Sequence, residues 1–421
     1  MNGLNRRHFI QLGAAAATAA PGIVRAQAGA YHVVVAGGGF AGATAAKYIK
    51  LWGGPAIRVT LVNPSATHTS CIMSNLVLHG SLAMKDIRFN LRALGAYGVD
   101  FIKDVVDGID ARQRMVNLRS NGWMSYDRVV LAGGLSFKNV HGLDSTKNPH
   151  AWIAGSQTKI LKAQIDAMPD NGVFVMTIPP APYRCPPGPY ERACTAAAIL
   201  KARGGRGKVI VLDANADIQA EKATFSKAFS TIYKGIVSYR PGVTVKSVNA
   251  VTREVVTSAG RISGDVLNII PPQRASALVR KSGVVPSGAD WAPVDPISYE
   301  STLSGFSGVH VIGDSQGTKQ PKSGHMANAQ AKVCADAIVR LFNGEAINSA
   351  DRLANIVTNS ACYSPITASE ASWLTAVFGY DVSTGQMVLR PNSLAEAGSW
   401  SAGNYRQMFS WARNLWADSF K

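Results

Sequence analysis

Long apolar runs are scarce in this chain. Beyond residue 28 no stretch approaches the roughly 18 consecutive apolar residues that a spanning helix needs, which excludes a transmembrane segment. No C-x-x-C-H occurs, so the chain attaches no haem of its own. The 8 histidines are scattered without metal-ligand spacing, and no metal is expected. Acidic residues are few: 26 Asp and Glu stand against 43 Lys and Arg, a net charge of +17. That charge favours anionic ligands and acidic partners. The basic residues are dispersed and carry no recognition motif, which argues against nucleic acid. Repeats and low-complexity tracts are absent. Cysteine is sparse too, with 5 residues: Cys71, Cys185, Cys194, Cys334 and Cys362. An odd count in an exported protein needs an explanation. One disulfide, one thioether and two inert buried thiols would supply it.

What is present points to a compact α/β protein. The 421 residues suffice for two or three domains, 47% hydrophobic content fills their cores, and 40 glycines supply tight turns. Residues 1–28 have the pattern of an export signal. Arg6-Arg7-His8-Phe9-Ile10 is a twin-arginine motif, Leu12 to Ala20 a weakly apolar run, and Ala26-Gln27-Ala28 a small-residue cleavage site. Twin-arginine export carries proteins already folded around a cofactor, and the expected location is the periplasm.

The mature chain opens with a β-branched strand, Tyr31 to Ala36, followed by Gly37-Gly38-Gly39-Phe40-Ala41-Gly42 and a helix to about Trp52. A second strand, Ile57 to Val62, ends at Asn63. Gly37, Gly39 and Gly42 form the G-x-G-x-x-G of a dinucleotide-binding βαβ unit, where missing side chains let backbone approach a pyrophosphate at a helix N-terminus. Asn63 stands where an acid usually meets the ribose, and an amide makes that hydrogen bond more weakly. Two later segments repeat the theme. Tyr126 to Gly134 is a strand running into a turn at Gly133, and Val309 to Ile312 is a strand ending in Gly313-Asp314. A helix is expected from about Met326 to Phe342. These features in this order indicate FAD rather than NAD, with Asp314 on the ribityl or pyrophosphate part.

A second α/β unit follows at about 151–285, with strands Val173 to Ile178 and Lys208 to Leu212 around a helix Tyr190 to Ala202. The turn after its first strand would carry another glycine fingerprint if NAD(P)H bound there. It reads instead Pro179-Pro180-Ala181-Pro182-Tyr183-Arg184-Cys185-Pro186-Pro187-Gly188. Prolines fix φ and remove amide donors, so few amides remain to hold a phosphate. The same stiffness holds Cys185 in one place and sets Glu191 near a helix start. Beyond Asn343 the chain becomes rich in Ser, Ala and Trp, and short strands with a final helix are expected.

The motifs Tyr183 to Arg192 and Pro321 to Val333, with Thr69-Ser70-Cys71 and Ala361-Cys362-Tyr363-Ser364, resemble the flavoprotein subunit of flavocytochrome c sulfide dehydrogenase. More distantly they resemble sulfide:quinone oxidoreductase, within the disulfide-reductase flavoproteins. The resemblance implies two Rossmann-like domains and a small α+β C-terminal interface domain: an FAD domain in two pieces, 29–150 and 286–345; a second Rossmann-like domain, 151–285, without an NAD(P)H site; and 346–421. It implies FAD linked covalently through Cys71, a redox disulfide between Cys185 and Cys362, and Glu191 as proton carrier; a Cys185–Cys194 bridge is the rival pairing. Hydrosulfide would open the disulfide by exchange, leaving a persulfide and a thiolate. A helix N-terminus near Met326, with Lys322 before it, would face the negative charge of the reduced cofactor. Electrons would pass to a c-type cytochrome subunit in a heterodimer. The rivals are a sulfide:quinone oxidoreductase, with Asn404 to Phe420 as a membrane-facing amphipathic segment, and a non-catalytic flavoprotein partner of a thiosulfate-oxidising system.

Overall fold

The computed structural model describes residues 30–421, so the twin-arginine segment lies outside the described residues. The chain begins with β1 (Tyr31–Ala36), α1 (Phe40–Gly53) and β2 (Ile57–Asn63). β3 (Val99–Lys103) and β4 (Arg128–Leu131) follow. The next unit comprises β5 (Val173–Ile178), α2 (Gly188–Ala202), β6 (Lys208–Asp213), β7 (Val237–Arg240) and β8 (Val266–Ile269). Then come β9 (Val309–Val311) and α3 (Gly324–Phe342). The last module holds β10 (Val357–Pro365), β11 (Ala371–Asp381), β12 (Gln386–Leu389) and α4 (Ala402–Phe420).

The first sheet has 5 strands in the order β9-β4-β1-β2-β3, all parallel. Its continuous apolar strands suit a parallel sheet covered on both faces. β9 pairs with β4 across the whole intervening unit, so the first sheet closes only after the second has been threaded. That second sheet has 4 parallel strands, β7-β6-β5-β8. Both are Rossmann-like.

The third module is an antiparallel sheet with α4 packed beside it. Two of its strands are longer than expected, β10 with 9 residues and β11 with 11, while β12 is short with 4. Burial alternates from Val357 to Ser360, and β10 pairs with β11 along its full length, Val357 to Pro365. The apolar stripe of α4, with Met408, Ala412, Leu415, Trp416 and Phe420, is buried in the core that α1 and α3 share. Polar ties fix its end: Asn328 donates to Asp418 at 2.7 Å and to the Ser419 hydroxyl at 3.0 Å. Asn404 to Phe420 thus turns its apolar face inward, not toward a membrane surface. No helix among the described residues is long and apolar enough to cross a bilayer.

Candidate active site

The glycine turn after β1 is built as its sequence demands. Gly37 has φ +113, and a Cβ there would lie 2.4 Å from the Ala132 carbonyl oxygen. A Cβ on Gly42 would lie 1.8 Å from the Gly37 oxygen, so Gly42 serves close packing of α1 on the turn. Around this turn lies a cleft of about 1210 Å³. Of the residues expected at the cofactor, Gly37, Gly39, Phe40, Ala41, Asn63, Cys71, Gly133, Gly313 and Asp314 line it. Asn63 is largely engaged: its Oδ1 accepts from the Gly38 amide at 2.8 Å and its Nδ2 donates to the Ser65 carbonyl at 2.7 Å. The amide thus holds the glycine turn in shape.

Gly42 packs behind the turn rather than lining the cleft, and two further expected residues stand elsewhere. Lys322 lines neither this cleft nor its neighbour. Its ammonium donates to the Gln316 carbonyl at 2.7 Å and sits 3.7 Å from the centre of the Trp291 ring. Burial lowers its pKa to about 8, with Asp314 pulling it back up. Met326 is also outside both linings, because α3 begins at Gly324, two residues earlier than expected. The Met326 amide is consumed by the Ser323 hydroxyl at 3.1 Å, an N-cap bond. Ser323 and Gly324 take its place, lining both cavities.

A second cavity, of about 740 Å³, adjoins the first, sharing Cys71, Arg184, Ser323 and Gly324 with it. Cys185, Cys362 and Glu191 all line it. Cys185 has φ +58, a left-handed conformation uncommon for a residue with a side chain. Its amide donates to the Lys322 carbonyl at 2.7 Å, and its carbonyl accepts from Gly188 at 2.9 Å. Cys362 comes from β10. That strand is tied to the start of α3 by Ser360 and Ser323, 3.0 Å apart, and by the Ala361 amide donating to His325 Nδ1 at 3.0 Å. The segment Lys322–His325 therefore holds both cysteines. All five cysteines are free thiols here. The neighbouring Cys362 thiol and burial push the Cys185 thiol well up. Cys194 and Cys334 are fully buried inside α2 and α3.

Glu191 lies in the first turn of α2, which begins at Gly188, two residues before the expected start. Burial lifts its pKa to about 8, against the pull of Asn75 and Arg192, so it holds its proton at neutral pH. Sequence reasoning did not assign Arg184 and Arg192, although both stand inside the quoted motif. Arg192 is buried, and its guanidinium donates to Asn75 Oδ1 at 2.9 Å, Asn268 Oδ1 at 3.0 Å, and the carbonyls of His150 and Ala151 at 2.7 and 2.9 Å. None of these acceptors is charged. His68, also missed, lines the dinucleotide cleft with a buried Nε2 that has no partner. Burial, then Arg184, lowers it to about 4, leaving a neutral ring.

The second sheet carries no comparable glycine turn. Asp213, at the end of β6, is buried and accepts from Tyr190 at 2.7 Å, Tyr239 at 2.9 Å and the Asn215 side chain at 2.7 Å. A ribose would find that carboxylate already bonded.

Residues 158–271 match the family model for the central part of the sulfide dehydrogenase [flavocytochrome c] flavoprotein chain, and residues 354–420 match the flavocytochrome c sulphide dehydrogenase flavin-binding model. A 49-residue sequence from Chlorobaculum thiosulfatiphilum, named as that flavoprotein chain, is 49% identical over its whole length, which is 12% of this chain.

This chain belongs to the flavocytochrome c sulfide dehydrogenase flavoprotein family.

Residues 31–165 also match the wider pyridine nucleotide-disulphide oxidoreductase family. Among solved structures, the sulfide:quinone oxidoreductase from Aquifex aeolicus superposes with a TM-score of 0.75 at 17% identity, covering 93% of this chain and 92% of that one. A NAD-dependent persulfide reductase from A. fulgidus gives 0.59 at 14% identity, covering 92% and 77%. These two share the fold. The family is a flavoprotein family, and the cleft fits FAD: its glycine turn excludes any Cβ beside the Ala132 carbonyl, and the unpartnered His68 Nε2 offers a polar contact within it.

Proposed function

We propose that this protein oxidises hydrosulfide to sulfane sulfur through a Cys185–Cys362 disulfide and FAD, and passes the electrons to a c-type cytochrome subunit. The observation that carries this reading is the meeting of Cys185, Cys362 and Glu191 in one cavity that opens onto the dinucleotide cleft at Cys71. The two cysteines come from different modules, and their meeting in the lining of one cavity supports a bridge between them. Hydrosulfide attacks that bridge; one sulfur–sulfur bond forms as another breaks, giving a persulfide on one cysteine and a thiolate on the other. Bound FAD supplies a two-electron acceptor that can release electrons singly. Glu191, protonated at neutral pH, supplies or takes the proton at the cysteine sulfur.

Cys71 lines both cavities, which suits it to a thioether with the cofactor. The late return of β9 to the first sheet supports a division into 29–150 with 286–345, 151–285, and 346–421. The twin-arginine sequence supports export to the periplasm.

The test is turnover by the purified chain with sulfide and oxidised cytochrome c. Cytochrome reduction that stops when Cys185 is alkylated is the expected result. Reduction of a quinone but not of the cytochrome would move the protein to the quinone-linked class.

A further inference from the structure

Exchange at the bridge leaves a thiolate in a half-buried, mainly apolar cavity, where an anion without a partner is costly. Arg184 stands beside that position. It is the residue before Cys185, and it lines both the cysteine cavity and the dinucleotide cleft. Its backbone is fixed on both sides: the amide donates to Gln273 Oε1 at 2.8 Å, and the carbonyl accepts from Trp152 Nε1 at 3.1 Å. Its guanidinium donates to the Trp152 carbonyl and faces Asp314 at 3.5 Å, with 12% and 9% of the two side chains exposed. A separation of 3.5 Å is long for a charge-assisted hydrogen bond. The same guanidinium lines the cysteine cavity, where a second anion can share its charge.

We propose that Arg184 stabilises the Cys185 thiolate formed when hydrosulfide opens the Cys185–Cys362 bridge. This rests on the function proposed above. The step conserves atoms and charge: hydrosulfide and the disulfide become one protonated persulfide on Cys362 and one thiolate on Cys185, and no electron leaves until the cofactor accepts the pair. The titratable groups around Cys185 are Cys362 on β10, Glu191 and Arg192 on α2, Tyr183 and Arg184 on the loop, and Cys71 across the cavity. Cys362 and Glu191 favour the neutral thiol, while Arg184 opposes them. At Cys71, Arg184 is the largest influence opposing burial.

The experiment is the pH profile of Cys185 alkylation by iodoacetamide in reduced holoprotein, mapped by mass, in wild type, Arg184→Gln and Arg184→Lys. Non-reducing peptide maps of the oxidised proteins accompany it. The glutamine variant should raise the apparent pKa of Cys185 by about one unit, a roughly tenfold slower reaction at fixed pH, and lysine should restore most of it. A bridge present in the maps with an unchanged glutamine profile overturns the role of Arg184 alone. Absence of the 185–362 bridge in oxidised wild type overturns the reading on which it rests. Should the glutamine variant not fold, Asp314→Asn removes the carboxylate paired with Arg184 and should move the Cys185 profile downward. A profile that stays or rises overturns the proposal.

Discussion

The backbone amide of Cys185 donates to the carbonyl of Lys322 at 2.7 Å. One end of the proline-rich loop is thereby fastened to the segment that caps α3, and the same segment fastens β10 through Ser323 and His325. The expected cysteine pair depends on this shared anchor. Replacing Cys185 or Cys362 with serine should lower sulfide oxidation by roughly 10³-fold, the range for loss of a covalent nucleophile. FAD content should be unchanged in both, and Cys194→Ser should be nearly silent. Steady-state rates with flavin absorbance, and a non-reducing peptide map, check this; near-normal activity in Cys362→Ser would refute the assignment.

Cys71 sits at the junction of the two cavities. In Cys71→Ser, FAD should remain bound to the folded protein but pass into the supernatant on acid precipitation, whereas the wild-type pellet stays yellow. A colourless wild-type pellet would remove the thioether.

NADH should not bleach the flavin on the timescale of turnover. The carboxylate that would receive a ribose, Asp213, is bonded to Tyr190 and Tyr239, and the turn before α2 is built of prolines. Stopped-flow absorbance measures this directly, and rapid bleaching would contradict it.

The raised pKa of Glu191, about 8 against an ordinary 4.5, has a defined sign for stability. The folded state binds this proton more tightly than the unfolded state. Stability is therefore full below about 4.5 and falls as pH rises toward about 8. Glu221, raised to about 7 mainly by burial, acts in the same direction. Glu191→Gln should flatten the decline of Tm across this window relative to wild type, while Glu221 continues to contribute. Parallel Tm–pH curves for the two proteins would show that Glu191 ionises normally.

Gly42→Ala places a methyl 1.8 Å from the Gly37 carbonyl oxygen, a backbone atom that cannot swing aside. The variant should lose roughly 1–3 kcal/mol of stability, the ordinary cost of overpacking, and bind FAD more weakly. Denaturant titration and flavin retention on gel filtration report the two effects separately.

Local sequence determined much of this protein. The β-branched run Tyr31–Ala36 followed by the glycine turn has one compact solution, because only glycine admits the φ at Gly37 and the close approach at Gly42. Prolines around Cys185 made its loop stiff wherever the loop was placed. The first turn of α2 already contained Glu191. Tertiary structure alone decided the rest. Lys322 is next to Ser323 in the chain, yet its long side chain found the Gln316 carbonyl and the Trp291 ring instead of the cleft. Arg184, with the same charge, lines both cavities. Asn63 spent its amide on Gly38 and Ser65. Cys362 reached Cys185 only because β10 pairs with β11 and is tied to the cap of α3. Backbone conformation is set by steric limits acting within a few residues. The direction of a flexible charged side chain, and the meeting of two distant thiols, are set by whichever partners the completed fold brings within reach.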